Sequence, residues 1–275
     1  EALQGCELVM HTASPFTISS TNDPYNTFVK PALDGTRNVL DAVKKTPEVK
    51  RVVLTSSCAA IYGDNADLEK TENGIFTEKY WNTSSSLKHN AYSYSKTVAE
   101  KEAWEIQKGQ DRWDLVVMNP SMVLGPSLTN ASASGSLDTF RQLADGSFKT
   151  GAPRLEFGFV DVRDVAAAHI KAGYTPEASG RYILSPFSNG LLDIAKMLRD
   201  KFGDTYAFPK KQLPKFLVWL VGPSVGMSRK FVERNIGKPI KFDHSKSEKE
   251  LGLSYRPLEE TVTDHMNQLI KDDIV

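Results

Sequence analysis

The residues best suited to chemistry lie at positions 90–100, where a tyrosine and a lysine stand four positions apart, Tyr92 and Lys96. If residues 91–108 form a helix, these two side chains share one face. An ammonium beside a phenol favours the phenolate, so the spacing predicts a tyrosine pKa below its ordinary value of about 10. Such a tyrosine can give a proton to a substrate oxygen near neutral pH.

A serine hydroxyl from the end of the preceding strand is predicted to lie near this pair. Ser56 and Ser57 follow an apolar run at residues 51–55 that has the pattern of a buried parallel strand. The carboxyl end of such a strand is where open α/β sheets place their ligands. The pattern therefore predicts a site built from a serine, Tyr92 and Lys96, and it leaves Ser56 and Ser57 as alternatives.

The chain contains a second tyrosine–lysine pair at the same spacing, Tyr206 and Lys210. Pro209 falls inside it, and a proline does not continue a helix that begins before it. The second pair shows that the spacing alone is weak evidence. The surrounding strands and the helix are what favour the Tyr92 copy.

Strands and helices alternate along the first half of the chain. Apolar strands are predicted at residues 7–10, 51–55 and 114–118, with helices at 23–45 and 91–108 between them. Asp23 and Pro24 suit the start of the first helix, and Pro31 should kink it. The polar stretch at 63–89 is long for a structureless loop, so it should carry function or short elements. This alternation predicts a parallel sheet.

The second half is less regular. Helices are predicted at 137–144 (after Ser136), 161–172 and 191–202, and short strands at 157–160 and 181–184. From residue 206 onward, five prolines and short apolar segments predict a smaller, irregular lobe. Asp161, Arg163 and Asp164 form a charged cluster that we expect to brace the two lobes.

Composition excludes several classes of protein. Lys+Arg and Asp+Glu both number 34, so the zero net charge indicates no nucleic-acid or acidic-membrane partner. The two cysteines form no disulfide framework, which is typical of a reduced, cytoplasmic protein. The five histidines lack metal-ligand spacing, so no metal is expected. The sequence contains no G-x-S-x-G motif, so a serine hydrolase is a poor fit. The longest apolar run, at 216–221, is too short to span a membrane.

Several motifs, in order along the chain, resemble those of the extended short-chain dehydrogenase/reductases. They are Thr55-Ser56-Ser57, then Tyr92 thirty-five residues after Ser57 with Lys96 four residues further on, and the segment from Asn119-Pro120 to Pro126. The segments at 11–15, 30–36, 160–166 and 246–252 fit the same pattern. Within that family the chain most resembles the dihydroflavonol 4-reductase, cinnamoyl-CoA reductase and methylglyoxal reductase group.

This resemblance implies an α/β fold, a Rossmann-type doubly wound parallel sheet with a smaller irregular C-terminal substrate lobe. Residues 1–124 and 159–186 would form the cofactor-binding core, and residues 125–158 and 187–275 the substrate-binding lobe. The resemblance also implies a small-molecule carbonyl substrate and a monomer or homodimer.

The resemblance further implies an NAD(P)H-dependent reductase that converts an aldehyde or ketone to an alcohol. Tyr92 would donate the proton, Lys96 would lower the tyrosine pKa and hydrogen-bond the nicotinamide ribose, and Ser57, preferred to Ser56 by its spacing, would hold the carbonyl. NADP(H) is the expected cofactor, with NAD(H) as the alternative. Its predicted contacts are Thr12, Ala13, Ser14, Thr55, Tyr92, Lys96, Pro120, Ser121, Met122 and Val123.

Two alternatives stay open from the sequence. A nucleotide-sugar epimerase or a hydroxysteroid dehydrogenase would use the same Tyr/Lys pair on the same fold. A non-catalytic cofactor-sensing protein would differ in class.

The glycine pattern adds one more expectation. The 18 glycines never lie two or three positions apart, so the glycine-rich turn that holds a cofactor diphosphate is absent from this sequence. In the resembled family the strand at residues 7–10 would be the fourth of the sheet. We therefore expect that the chain is a fragment of a longer protein, and that these 275 residues alone bind NADPH weakly and fold poorly.

Overall fold

The structure is a computed structural model that describes residues 2–13, 21–128 and 135–275. The strands are β1 (Leu8–His11), β2 (Arg51–Thr55), β3 (Asp114–Pro120), β4 (Met122–Leu124), β5 (Ala152–Pro153), β6 (Glu156–Asp161), β7 (Gly180–Leu184), β8 (Phe187–Gly190) and β9 (Gln212–Leu213). The α-helices are α1 (Lys30–Lys44), α2 (Ala91–Lys108), α3 (Gly135–Ala144), α4 (Val162–Tyr174), α5 (Leu191–Phe202), α6 (Lys215–Val221), α7 (Arg229–Asn235), α8 (Ser245–Leu251) and α9 (Leu258–Lys271).

The predicted parallel sheet is confirmed. Four strands pair in the order β1-β2-β3-β7, and every pairing is parallel. In register, Val53 lies opposite Val116, and Thr55 lies opposite Met118. The carboxyl ends of β2 and β3 therefore meet at one edge, and the segments that carry the candidate site leave the sheet there.

Alternating side chains of the strands build two apolar layers. Val52 and Leu54 of β2 face α1 and α2, where they pack with Leu40 and Ala103. Val53, between them, faces the opposite layer, which includes residues of α4 and of the segment after α8. The sheet is thus covered by helices on both sides, which explains why its strands read as nearly continuous apolar runs.

The first long helix begins with a π-helical turn, just before Pro31. A π-helical turn at Tyr25–Val29 precedes α1, and Pro31 occupies its first turn. Pro31 has no N–H to donate to the preceding turn, so the wider turn accommodates the break that proline imposes. Asp23 accepts a hydrogen bond from the Asn26 N–H at 3.1 Å, which agrees with its predicted role at the helix start.

A smaller second sheet lies beyond β3. Its order is β4-β6-β8, with β4 parallel and β8 antiparallel to β6. It packs with α3, α5 and α9 around a core that includes Phe140, Phe159 and Met266. The predicted division of the chain at residues 124 and 159 runs through this sheet, and it stays a prediction.

The charged cluster at the start of α4 does connect elements that are distant in sequence. Asp161 accepts a hydrogen bond from the Thr261 hydroxyl at 2.8 Å, and Arg163 lies 2.8 Å from the Asp264 carboxylate. Asp164 accepts from the backbone N–H of Arg256 at 2.8 Å. α4 is therefore anchored to the segment that leads into α9 and to α9 itself.

Candidate active site

The helix that carries Tyr92 begins with an unusual residue. Asn90 adopts a left-handed conformation (φ 53°), which asparagine tolerates better than most side chains. Its side-chain amide donates to the carbonyl of Gly63 at 2.8 Å and to the Asp64 carboxylate at 3.2 Å. These bonds fix the first turn of α2 against the 63–89 segment, so Tyr92 starts from a defined position.

The 63–89 segment carries short elements, as its length suggested. It contains 3-10 turns at Asn65–Lys70 and Glu72–Gly74. Its buried Asp64 carboxylate lies 2.9 Å from His89, 2.8 Å from Asn235 and 2.5 Å from Arg234. Burial alone would raise the pKa of Asp64, but these hydrogen bonds together lower it below its usual range. Asp64 therefore stays ionised and links the start of α2 to α7.

A cavity of about 550 Å³ opens at the carboxyl edge of the main sheet. The predicted residues that line it are Thr55, Ser56, Ser57, Tyr92, Lys96, Pro120, Ser121, Met122 and Val123. Most of the predicted site residues are thus brought together, although they come from three separate segments of the chain.

Of the predicted contacts after β1, Thr12 and Ala13 do not line that cavity. Ala13 lines a neighbouring cavity of about 30 Å³ together with His11 and Lys96. Thr12 is exposed just beyond β1. Ser14 lies outside the described residues.

The hydroxyl of Ser57 is oriented by its own backbone turn. Its Oγ accepts a hydrogen bond from the N–H of Ala59 at 3.1 Å, at the start of the short turn Cys58–Ala60. The same side chain is hydrogen-bonded to the phenol of Tyr92. Ser56 instead donates to Glu100 at 2.5 Å. Of the two serines, Ser57 is therefore the one whose hydroxyl reaches Tyr92.

The expectation that Tyr92 has a lowered pKa is wrong for this structure. Burial raises the pKa of Tyr92 to about 12, and the hydrogen bond from Ser57 offsets this only in part. The Lys96 ammonium lies 5.8 Å from the centre of the tyrosine ring. Burial also lowers the pKa of Lys96, to about 8. The spacing correctly placed the two groups together, but it could not show that both are desolvated.

Thr55 and the histidines near the site have fixed partners. The Nδ1–H of His169 donates to the Val165 carbonyl at 2.8 Å, so its Nε2 accepts from the Thr55 hydroxyl at 2.6 Å. Burial lowers the pKa of His169 and of His11, and the charge of Lys96 lowers the pKa of His11 further. These histidines are therefore neutral near pH 7.

Several lining residues were not predicted. They include Tyr62, which follows the short turn Cys58–Ala60, Phe157 and Gly158 of β6, and His265 of α9. His265 lies 140 positions from Gly125, yet its Nδ1 is 2.8 Å from the Gly125 carbonyl oxygen. Gly158 has no room for a side chain, since a Cβ there would meet the Ser185 hydroxyl at 2.3 Å and the Ser121 Cβ at 2.8 Å. The spacing of residues in the sequence does not predict contacts between residues that are more than a hundred positions apart.

The residues present fit one end of a nicotinamide dinucleotide. The cavity lies where parallel sheets bind such groups, and it has a hydroxyl, a phenol and an amine on one side and the backbone of residues 120–123 on the other. Ser121 N–H donates to the Leu184 carbonyl at 3.1 Å, so this backbone is held against β7.

Within the described residues, no group of three or more His, Cys, Asp or Glu side chains could hold a metal ion. The described helices include none that is both long and apolar enough to cross a membrane.

Comparison with known proteins agrees with this geometry. Residues 1–183 match the NAD dependent epimerase/dehydratase family. The chain is 38% identical over 272 residues to cinnamoyl-CoA reductase 1 of Petunia hybrida, covering 98% of this chain and 72% of that protein. It is 33% identical over 281 residues to the NADPH-dependent methylglyoxal reductase GRE2 of Saccharomyces cerevisiae, covering 96% of this chain and 77% of that protein.

Solved structures show the same relationship. The yeast methylglyoxal/isovaleraldehyde reductase Gre2 complexed with NADPH superposes with a TM-score of 0.76 at 30% identity, over 97% of this chain and 77% of that one. Vestitone reductase from alfalfa, at 22% identity and a TM-score of 0.73 over 100% of this chain and 79% of that one, shares the fold. The resemblance inferred from the motifs is confirmed. The chain belongs to the NAD dependent epimerase/dehydratase family, in the group of extended short-chain dehydrogenase/reductases that contains the cinnamoyl-CoA and methylglyoxal reductases.

Proposed function

We propose that this protein is an NADPH-dependent reductase that converts an aldehyde to an alcohol. The observation that carries the proposal is the meeting of Ser57, Tyr92 and Lys96 at one cavity, at the carboxyl edge of a parallel sheet. The relatives that are named as reductases of methylglyoxal and cinnamoyl-CoA support a reductase over an epimerase, a hydroxysteroid dehydrogenase or a non-catalytic sensor. NADPH is preferred to NADH because the named NADPH complex and the named NADPH-dependent relative match most of the chain.

The protein residues would act on the carbonyl oxygen of the substrate. When bound, the cofactor supplies the hydride that reaches the carbonyl carbon. The Ser57 hydroxyl donates a hydrogen bond to the oxygen and stabilises the negative charge that develops there. Tyr92, protonated at neutral pH because its pKa is raised to about 12, gives its proton to the same oxygen.

Lys96 would serve two purposes. Its ammonium stabilises the phenolate that Tyr92 becomes after proton transfer, because opposite charges attract strongly in a buried site. Its nitrogen also faces the region where the nicotinamide ribose would be held, between Thr55 and the cavity that Ala13 lines. Pro120 and the backbone of Ser121, Met122 and Val123 would flank the nicotinamide ring.

The walls of the cavity favour an apolar substrate. Met122, Leu124, Leu137 and Phe157 line it, and they offer little to bind a charged nucleotide diphosphate. An apolar aldehyde therefore fits better than a nucleotide sugar. The balanced charge supports an enzyme without a nucleic-acid partner, and the two cysteines without a disulfide framework support a cytoplasmic one. By its resemblance to the family, it would act as a monomer or homodimer.

The direct test is a substrate panel with the purified full-length protein. The loss of NADPH absorbance is followed with aliphatic and aromatic aldehydes, flavonoid-like ketones, sterols and nucleotide sugars. Turnover with aldehydes and none with nucleotide sugars is expected, and NADH should be the poorer cofactor. Epimerisation of a nucleotide sugar without net NADPH consumption would replace the reductase proposal with the epimerase alternative.

A further inference from the structure

One buried carboxylate next to the site takes no part in the chemistry described above. Glu100 lies on α2 four residues after Lys96 and eight after Tyr92, so the three side chains follow one another along one face of the helix. The carboxylate is completely buried, with 0% of its side chain exposed. Burying a charge is costly unless it is paired and hydrogen-bonded, so its partners decide what it does.

The partners of Glu100 lead to the backbone of Ser57. Its Oε2 accepts hydrogen bonds from the Ser56 hydroxyl at 2.5 Å and from the Asn119 side-chain amide at 2.8 Å. The same amide nitrogen donates to the carbonyl oxygen of Ser57 at 3.0 Å. Glu100 therefore holds the ends of β2 and β3 together at the residue whose hydroxyl reaches Tyr92.

The charge of Glu100 is balanced by a guanidinium that is itself immobilised. Arg181, on β7, lies 2.6 Å from the carboxylate and is only 7% exposed. It donates to the backbone carbonyls of Glu78 at 2.8 Å and Tyr80 at 2.6 Å, and it stacks 4.0 Å over the ring of Trp81. The carboxylate is thus held by Ser56 after β2, Asn119 on β3 and Arg181 on β7, and Arg181 is itself held by the segment before α2.

Stability alone does not account for this arrangement. Replacing a buried ion pair by apolar side chains is often neutral or stabilising, because the pair must first be desolvated. What the pair supplies is directional bonding at a point where the chemistry needs a fixed hydroxyl. A displacement of about 1 Å in a reacting group can lower a rate about 100-fold.

We infer that Glu100, held by Arg181, is a positioning residue for Ser57. It acts on the backbone of Ser57 through Ser56 and Asn119. The inference rests on the proposed function only in its kinetic part, because the effect on the backbone of Ser57 can be measured without turnover.

The test compares Glu100→Gln with Asp114→Asn. Glutamine keeps the shape of the side chain but replaces one acceptor oxygen with a donor, so it cannot accept from all of its present partners. Asp114 forms an ion pair with Arg51 at 2.7 Å between the same two strands, but at their amino ends, away from the cavity. It is therefore a matched control for a general loss of strand pairing.

The first measurement is amide hydrogen exchange, followed by mass spectrometry, in peptides that cover residues 55–62. Ala59 and Ala60 donate to Ser57 Oγ and to the Ser57 carbonyl. We expect these amides to exchange at least about tenfold faster in Glu100→Gln than in the unaltered protein, and at an unchanged rate in Asp114→Asn. Equal protection in all three proteins would overturn the inference, whatever the enzyme reduces.

The second measurement is the rate of aldehyde reduction with NADPH that carries deuterium at the transferred position. We expect Glu100→Gln to lower kcat about tenfold or more, with little change in the KM for NADPH and with a larger isotope effect. A variant that is only less stable would lose active protein and keep the wild-type isotope effect, and that result would overturn the inference. If the unaltered protein reduces no aldehyde, the proposed function fails, and the exchange measurement still decides the inference.

A second variant keeps the test decisive if Glu100→Gln gives no folded protein. Ser56→Ala removes one hydroxyl from the network and leaves the charge pair intact. We expect faster exchange at Ala59 and Ala60 and a kcat lowered several-fold. Unchanged exchange and unchanged kcat in Ser56→Ala would count against the inference.

Discussion

The backbone N–H of Ala59 donates a hydrogen bond to Ser57 Oγ at 3.1 Å. The serine oxygen accepts this bond on a lone pair, and the side chain is also hydrogen-bonded to Tyr92, so the hydroxyl is held where it can donate to a carbonyl oxygen beside the phenol. Ser57→Ala should therefore lower kcat about 100- to 1,000-fold, the usual effect of removing one donor to a developing oxyanion. Steady-state kinetics measure it, with Ser56→Ala as the comparison. An equal loss in both variants would show that Ser57 has no special role.

Tyr92→Phe removes the proposed proton donor and nothing else of comparable size. We expect kcat to fall about 100- to 10,000-fold, the range typical of general acid catalysis, while NADPH binding measured by calorimetry stays nearly unchanged. The control is Tyr206→Phe, from the second tyrosine–lysine pair, which should leave both values unchanged. Near-normal turnover by Tyr92→Phe would refute the assignment.

Deprotonation of Lys96 should make kcat/KM for aldehyde reduction fall at alkaline pH, which gives the pH profile an alkaline limb. Its pKa is lowered to about 8, so it loses its positive charge above that pH, whereas Tyr92, with a pKa of about 12, keeps its proton. The kcat/KM for aldehyde reduction should therefore fall about tenfold for each pH unit above pH 8. Arginine stays charged over this range, so Lys96→Arg should lack the limb even if it is slower. A pH profile of each protein measures this, and an identical limb in both would assign it to another group.

Asp64 should contribute strongly to stability. Its carboxylate is fully buried and is contacted by Arg234, His89 and Asn235. Removing it takes one of the two carboxylates from Arg234, which keeps Asp67, and leaves buried donors of His89 and Asn235 without their acceptor, so Asp64→Ala should lower the free energy of unfolding by about 3 kcal/mol. Asp204→Ala breaks the exposed pair with Lys210 and should cost less than about 1 kcal/mol. Urea unfolding measures both, and similar losses in the two variants would contradict the role given to Asp64.

Much of the main sheet could be predicted because its signals are local. Residues 52–54 and 115–118 are apolar without interruption, which is the pattern of buried parallel strands. The helix at 91–108 was bounded correctly because its composition and the spacing of Tyr92 and Lys96 agree. Each of these signals lies within about twenty residues of sequence.

The remainder of the site depends on contacts that cross the fold. His265 reaches Gly125 from α9, and Arg181 reaches Glu100 from β7. Nothing in the neighbourhood of either residue indicates its partner. The error in the Tyr92 pKa has the same origin, since desolvation depends on everything that packs around the phenol. Spacing shows which groups are neighbours, and only the packed structure shows how much water they keep.

The crowding around Gly158 matters for anyone who wants to engineer this enzyme. A methyl group there would collide with Ser185 and Ser121, and Ser121 belongs to the backbone that borders the cavity. A library that randomises Gly158 would therefore yield mostly misfolded clones instead of new specificities. Phe157, Met122 and Leu137 are only partly buried and line the same space, so they can change size without moving the sheet. Directed evolution toward bulkier aldehydes should begin at these three positions.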